Sequence, residues 1–161
     1  MAGFDTMMGQ IMALGQNQEA RFLDMWANQA TYKIGDKITY HFISDKPCYL
    51  VLLSKTSDGN LVQVFPNKYD RNQLVSANIK HSIPLEGSGL SLEVTGPIGR
   101  EELIALTADE PFELFPLDYE NEPFFLLDEA NPDKLIKTSK NLATVKSMNF
   151  AQQKVTYTID E

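Results

Sequence analysis

Cys48-Tyr49-Leu50-Val51-Leu52-Leu53-Ser54, then Ser57-Asp58-Gly59-Asn60, then Leu61-Val62-Gln63-Val64-Phe65-Pro66 is the stretch on which the reading of this chain turns. The first run is apolar almost without a break and too short for a helix of ordinary length. The middle offers Asp-Gly, whose glycine supplies the positive φ that a tight hairpin turn needs. The last run is a second extended arm that stops at a proline, so the three pieces together predict a β-hairpin. Leu50 and Leu52 fall on one side of the first arm, and Tyr49, Val51 and Leu53 on the other. Both sides are apolar, which places that arm in the centre of a sheet covered twice.

The pattern continues outward from the hairpin. Upstream, Ile38, Tyr40 and Phe42 alternate with Lys37, Thr39 and His41, the period of a half-buried strand. Downstream, Ile79, His81 and Ile83 alternate up to Pro84, and Leu90, Leu92 and Val94 alternate after Gly87-Ser88-Gly89. Residues 103–107 read as a buried strand, and Val155, Tyr157 and Ile159 alternate with Thr156 and Thr158 at the close. Short strands separated by turn signals argue against βαβ units. The fold class is therefore mainly β, an antiparallel β-sandwich or open barrel with an N-terminal amphipathic helix and one late helix.

The first helix is expected over residues 4–28, where proline is absent and Phe4, Met8, Ile11, Phe22, Met25 and Trp26 fall close to one face at helical spacing. Gly9 and Gly15 weaken it, each by roughly 1 kcal/mol relative to alanine. The late helix has an N-cap in Asn131, an N1 proline in Pro132 and an early acid in Asp133, and runs to about Val145 with Lys134, Lys137 and Lys140 along one side. The organisation that follows is a helical extension over residues 1–29 and a single β domain over 30–161, with an acidic aromatic loop at 109–129 and a helix near 133–146.

A chain of 161 residues, 43% hydrophobic, suits one domain with a substantial core. A formal net charge of -8 opposes binding to phosphate backbones, so nucleic acid and anionic membrane are not expected partners. No stretch reaches transmembrane length, and no membrane insertion is expected. The single cysteine, Cys48, rules out an internal disulfide framework, and no Cys/His cluster has zinc spacing. No metal or cofactor is expected.

Nucleophilic catalysis by Cys48 would require His41 or His81 within reach and a third group to orient the base. His81 shares its strand face with Ile79 and Ile83, the position of a core histidine, and Cys48 opens a buried arm as a small hydrophobe. The glycines of Gly96-Pro97-Ile98-Gly99-Arg100 have neither the spacing nor the strand-to-helix setting of a phosphate loop. No residue is assigned to catalysis.

Residues 109–129 differ in kind, being rich in acids and aromatics, free of Lys and Arg, and broken by Pro111, Pro116 and Pro123. Phe112, Phe115, Tyr119, Phe124 and Phe125, with Asp118, Glu120 and Glu122, are the candidate partner-binding residues: exposed rings supply area and acids set charge complementarity. The same residues have a second reading, in which the aromatics cover the end of the sandwich and Lys134, Lys137 and Lys140 neutralise the acids.

Taken together, Tyr32-Lys33-Ile34-Gly35-Asp36-Lys37-Ile38, Cys48-Tyr49-Leu50-Val51-Leu52, Asp58-Gly59, Val64-Phe65-Pro66-Asn67, Ile83-Pro84, Gly99-Arg100-Glu101 and Leu103-Ile104-Ala105-Leu106-Thr107 resemble the bacterial domain-of-unknown-function family 4384. The resemblance spans roughly residues 32–111, and residues 150–159 look like its closing strand. It implies a β-sandwich-like accessory domain of bacterial, often exported or envelope-associated proteins, and favours a periplasmic or secreted setting. It brings no catalytic residues. The expected role is a non-catalytic protein-binding or assembly module of a bacterial envelope or secreted system. The alternatives are a small cysteine hydrolase using Cys48 and a structural subunit that self-associates through its N-terminal helix.

Overall fold

In the computed structural model, which describes residues 3–161, the elements follow in the order α1 (Phe4–Ala13), β1 (Leu23–Ala27), β2 (Thr31–Lys33), β3 (Lys37–Ile38), β4 (Tyr40–Ser44), β5 (Cys48–Lys55), β6 (Leu61–Phe65) and β7 (Leu74–Val75). They continue with β8 (His81–Ile83), β9 (Leu92–Glu93), β10 (Gly99–Ala108), β11 (Phe125–Leu127), α2 (Pro132–Val145) and β12 (Ala151–Asp160). The hairpin forms as its residues dictate. Gly59 takes a φ of +91°, the Thr56 N–H donates to the Asn60 carbonyl at 2.9 Å, and the Thr56 hydroxyl bonds the Asp58 carboxylate. Leu53 lies opposite Gln63 but Leu52 opposite Phe65, so β6 carries a bulge at Val64.

The large sheet has the order β11-β6-β5-β10-β12-β2, with β7 beside β5, and every pairing is antiparallel except that of β2 with β12. It does not close into a barrel. A smaller antiparallel sheet, β1-β4-β8, lies over one face, and β3 and β9 pair as a two-residue ladder.

Each face of the large sheet has its own core. Leu50, Leu52, Leu103 and Ala105 pack with Leu23, Met25, Tyr40, Phe42 and Ile83 of the small sheet. Val51, Leu53, Ile104 and Leu106 pack with Met7, Met8 and Ile11 of α1, with Leu135, Leu142 and Val145 of α2, and with residues of the 109–129 segment. The central arm is thus covered twice, as its two apolar faces require, and the domain has three layers.

The helix expected over residues 4–28 is a correction: it ends at Ala13. Gly15 turns the chain at φ +69°, where an added Cβ would come within 3.0 Å of the Phe150 and Ala151 backbone. Beyond it, Leu23 and Met25 are buried while Asp24 between them is exposed, and β1 pairs with β4. Apolar residues this closely spaced satisfy both periods, and tertiary pairing decides for the strand. Ile79 lies outside β8 and is exposed, as is Leu90 outside β9. At α2 the Asn131 side chain accepts the Lys134 N–H at 3.2 Å and Pro132 opens the helix.

Candidate functional site

The structure divides the aromatics of residues 109–129. Phe112, Phe115 and Phe125 are buried in the helix-side core, Phe115 stacked on Phe125 at 4.7 Å and Phe112 edge-on to Phe150 at 4.9 Å. This corrects their assignment as partner-binding residues, because β11 pairs with β6 and carries Phe125 under the sheet. Tyr119 is half-buried under the Arg71 guanidinium, 4.9 Å from its ring, and burial pushes its phenol pKa up. Glu120 lies 3.8 Å from the same Arg71, and the Asp118 carboxylate accepts the Asn121 side-chain amide at 2.8 Å. Glu122 accepts from Lys134 Nζ at 2.7 Å, and that ammonium also donates to the Leu126 carbonyl at 2.8 Å and lies over the Phe125 ring. Lys137 pairs instead with Asp133 of its own helix at 3.1 Å. Phe124 alone of the five aromatics turns toward the opposite side, half-buried at the wall of two clefts.

Cys48 is buried, its Sγ 3.9 Å from Ser44 Oγ, and desolvation pushes its thiol pKa up, away from an activated thiolate. His41 Nδ1 bonds Ser82 Oγ at 2.8 Å, and His81 Nε2 bonds Asp70 at 2.5 Å while its ring stacks on Phe42. The structure does not join either histidine to Cys48 by a hydrogen bond. The buried face of α1 that carries Met7, Met8 and Ile11 is occupied by the domain's own core.

The strongest concentration of chemistry lies under the β3-β9 ladder, in a cleft of about 270 Å³. Ile38, Val62, Val64, Leu92, Val94, Ile159 and Phe124 form apolar walls; Tyr40, Ser54, Glu101 and Tyr157 form a polar floor. Period two explains the floor. Glu101 shares a face of β10 with Leu103 and Ala105, so the strand carries a carboxyl onto its inward side, where only 6% of the residue is exposed. Tyr157 lies opposite Glu101 across the β10-β12 pairing and donates to Oε1 at 2.8 Å. The Tyr157 oxygen is also 2.7 Å from the Tyr40 hydroxyl and 3.2 Å from Ser54 Oγ. Burial raises the Glu101 carboxyl above the usual carboxylate range, partly offset by the Tyr157 hydrogen bond. Burial likewise pushes Tyr40 up to about 12 and Tyr157 upward. These phenols are donors and acceptors of hydrogen bonds at neutral pH, not bases.

A second cleft of about 190 Å³ adjoins the first and shares Leu92 and Phe124 with it. Tyr69, Leu85 and Leu90 line it and stay 48%, 40% and 43% exposed, an apolar rim on a strongly acidic protein. Among the described residues, no group of three or more His, Cys, Asp or Glu is placed to hold a metal ion, and no helix is long and apolar enough to cross a membrane.

An open, largely antiparallel sheet with a smaller sheet on one face and helices on the other, with an apolar cleft over a buried carboxyl, defines a mainly β domain. The chain belongs to the family described as Domain of unknown function (DUF4384), which matches residues 31–111. The match opens on β2 and ends just before Phe112, so it includes Tyr40, Ser54 and Glu101 and leaves out Tyr157, both helices and β12. No curated protein and no solved structure matches the chain.

Proposed function

We propose that this chain is a non-catalytic protein-binding module of a bacterial envelope or secreted system, and that it holds its partner across the two clefts that meet at Phe124. The observation that carries the reading is the shared wall: Leu92 and Phe124 join a deep apolar cleft to a shallower one whose rim exposes Tyr69, Leu85 and Leu90. An exposed apolar rim that opens into an apolar recess offers a partner both contact area and a place to anchor a side chain. The envelope or secreted setting rests on the family resemblance alone.

The test compares partners captured by the wild-type chain, by Phe124→Asp, and by Leu74→Asp, which alters another exposed apolar residue. The reading expects Phe124→Asp to lose partners that the wild type and Leu74→Asp both retain. Identical partner sets for all three would sink it.

A further inference from the structure

We infer that the deep cleft receives the ammonium group of a lysine side chain carried by a partner segment; this rests on the binding role proposed above and names the chemistry of what is bound. The hydroxyl protons decide the class. Tyr157 has one proton and donates it to Glu101 Oε1. The Tyr40 and Ser54 hydroxyls, at 2.7 Å and 3.2 Å, must then be the donors in their contacts with the Tyr157 oxygen. With Glu101 ionised, the floor has no hydroxyl proton left to offer a ligand. What remains are lone pairs on Tyr40 and Ser54 and the Oε2 atom of Glu101, which no hydrogen bond within the described protein closes off and which keeps contact with solvent.

A floor of acceptors selects a donor. Carboxylates and phosphates would meet lone pairs and the charges of Glu101 and, at the cleft wall, Glu93. An ammonium brings three donors and the opposite charge. A guanidinium fits less well, because its fork takes two carboxylate oxygens side by side and Tyr157 already occupies one. Size points the same way. At about 270 Å³ the cleft lies just below the roughly 300–1,000 Å³ of ligand pockets, the scale of one long side chain. Ile38, Val64, Leu92 and Val94 present hydrocarbon to a lysine stem. The net charge of -8 draws a cationic segment toward the surface. The adjoining second cleft gives the residue next to that lysine a place, which favours a polypeptide over a free amine.

The test is a titration of the full chain, followed by amide NMR shifts, with Nα-acetyl-lysine methylamide, with its norleucine counterpart that lacks only the ammonium, and with hexylammonium. The lysine compound is expected to shift resonances around Glu101 and Tyr157 and to bind roughly tenfold more tightly than the norleucine compound, the worth of a charged hydrogen bond. Glu101→Gln should erase that difference, and Ser54→Ala should reduce it. Equal binding of the two compounds, or a lysine preference that survives Glu101→Gln, overturns the ammonium assignment and leaves the broader binding role standing. Binding of hexylammonium with the lysine compound silent overturns the polypeptide source. If none of the three moves the cleft resonances the assignment is wrong, and the binding role is then decided by the Phe124→Asp capture alone.

Discussion

The 109–129 segment and the cleft floor are opposites. The segment displays acids and aromatics densely in sequence, yet folding turns Phe115 and Phe125 into core and gives Glu122 to Lys134. The floor is built from residues that stand far apart in the chain, on β4, β5, β10 and β12. Chemistry that is conspicuous in sequence was satisfied within the molecule, and chemistry assembled by pairing was left facing a cavity. What separates the two is that the floor keeps acceptor positions, Glu101 Oε2 among them, open to a cavity after its own hydrogen bonds are made.

The contrast breaks first at Phe124 and Phe125, neighbours with opposite surroundings. Phe125→Ala removes a ring stacked in the helix-side core and should lower unfolding stability by about 3–5 kcal/mol, whereas Phe124→Ala should cost about 1 kcal/mol or less. Urea denaturation of the pair reads this directly, and equal losses would remove the distinction. Next in size is Lys134→Met. Its ammonium is mostly buried between Glu122, the Leu126 carbonyl and the Phe125 ring, so its loss should cost about 1.5–3 kcal/mol, more than an exposed ion pair contributes. A change within experimental error would mean that the acidic segment is not held by this contact.

The smallest effect has the opposite sign. The folded-state pKa of Glu101 is raised by burial first and by Asp58 in addition, so the folded form favours the protonated carboxyl. Its charge therefore costs stability at neutral pH, and the cost fades as pH falls through the folded pKa toward the unfolded one. Glu101→Gln should raise the urea midpoint at neutral pH, with the gap to wild type closing in acid. A variant less stable than wild type at neutral pH would show that the carboxylate is there for the fold.

Much of the architecture was legible. The two apolar faces of residues 49–53, the Asp-Gly turn and the Asn131-Pro132 helix start each act through local chemistry, and each formed as read. Residues 22–26 read as helix in sequence because their spacing serves both periods, and pairing with β4, from elsewhere in the chain, makes Leu23–Ala27 a strand. The candidate site was less legible. Glu101 would have been found by extending the alternation of Leu103 and Ala105 two residues upstream, which places a carboxylate on an inward face. Tyr40 and Tyr157 read as ordinary core positions because their hydroxyl partners are 117 and 56 residues away in sequence.

The turn at Gly15 carries one more consequence. There the chain presses against Phe150 and Ala151, and the Gln152 side chain donates to the Met12 and Leu14 carbonyls at 3.1 Å and 3.0 Å. The Gln152 N–H donates to the Gln18 carbonyl, and the Ala20 N–H returns a bond to the Gln152 carbonyl. Mechanically this is a clasp, and it grips the same strand that delivers Tyr157 to the cleft. The segment ahead of β1 is therefore tied to β12 by side-chain and backbone hydrogen bonds together. One strand, β12, thus carries both the Tyr157 floor of the cleft and the Gln152 contacts that hold the end of α1.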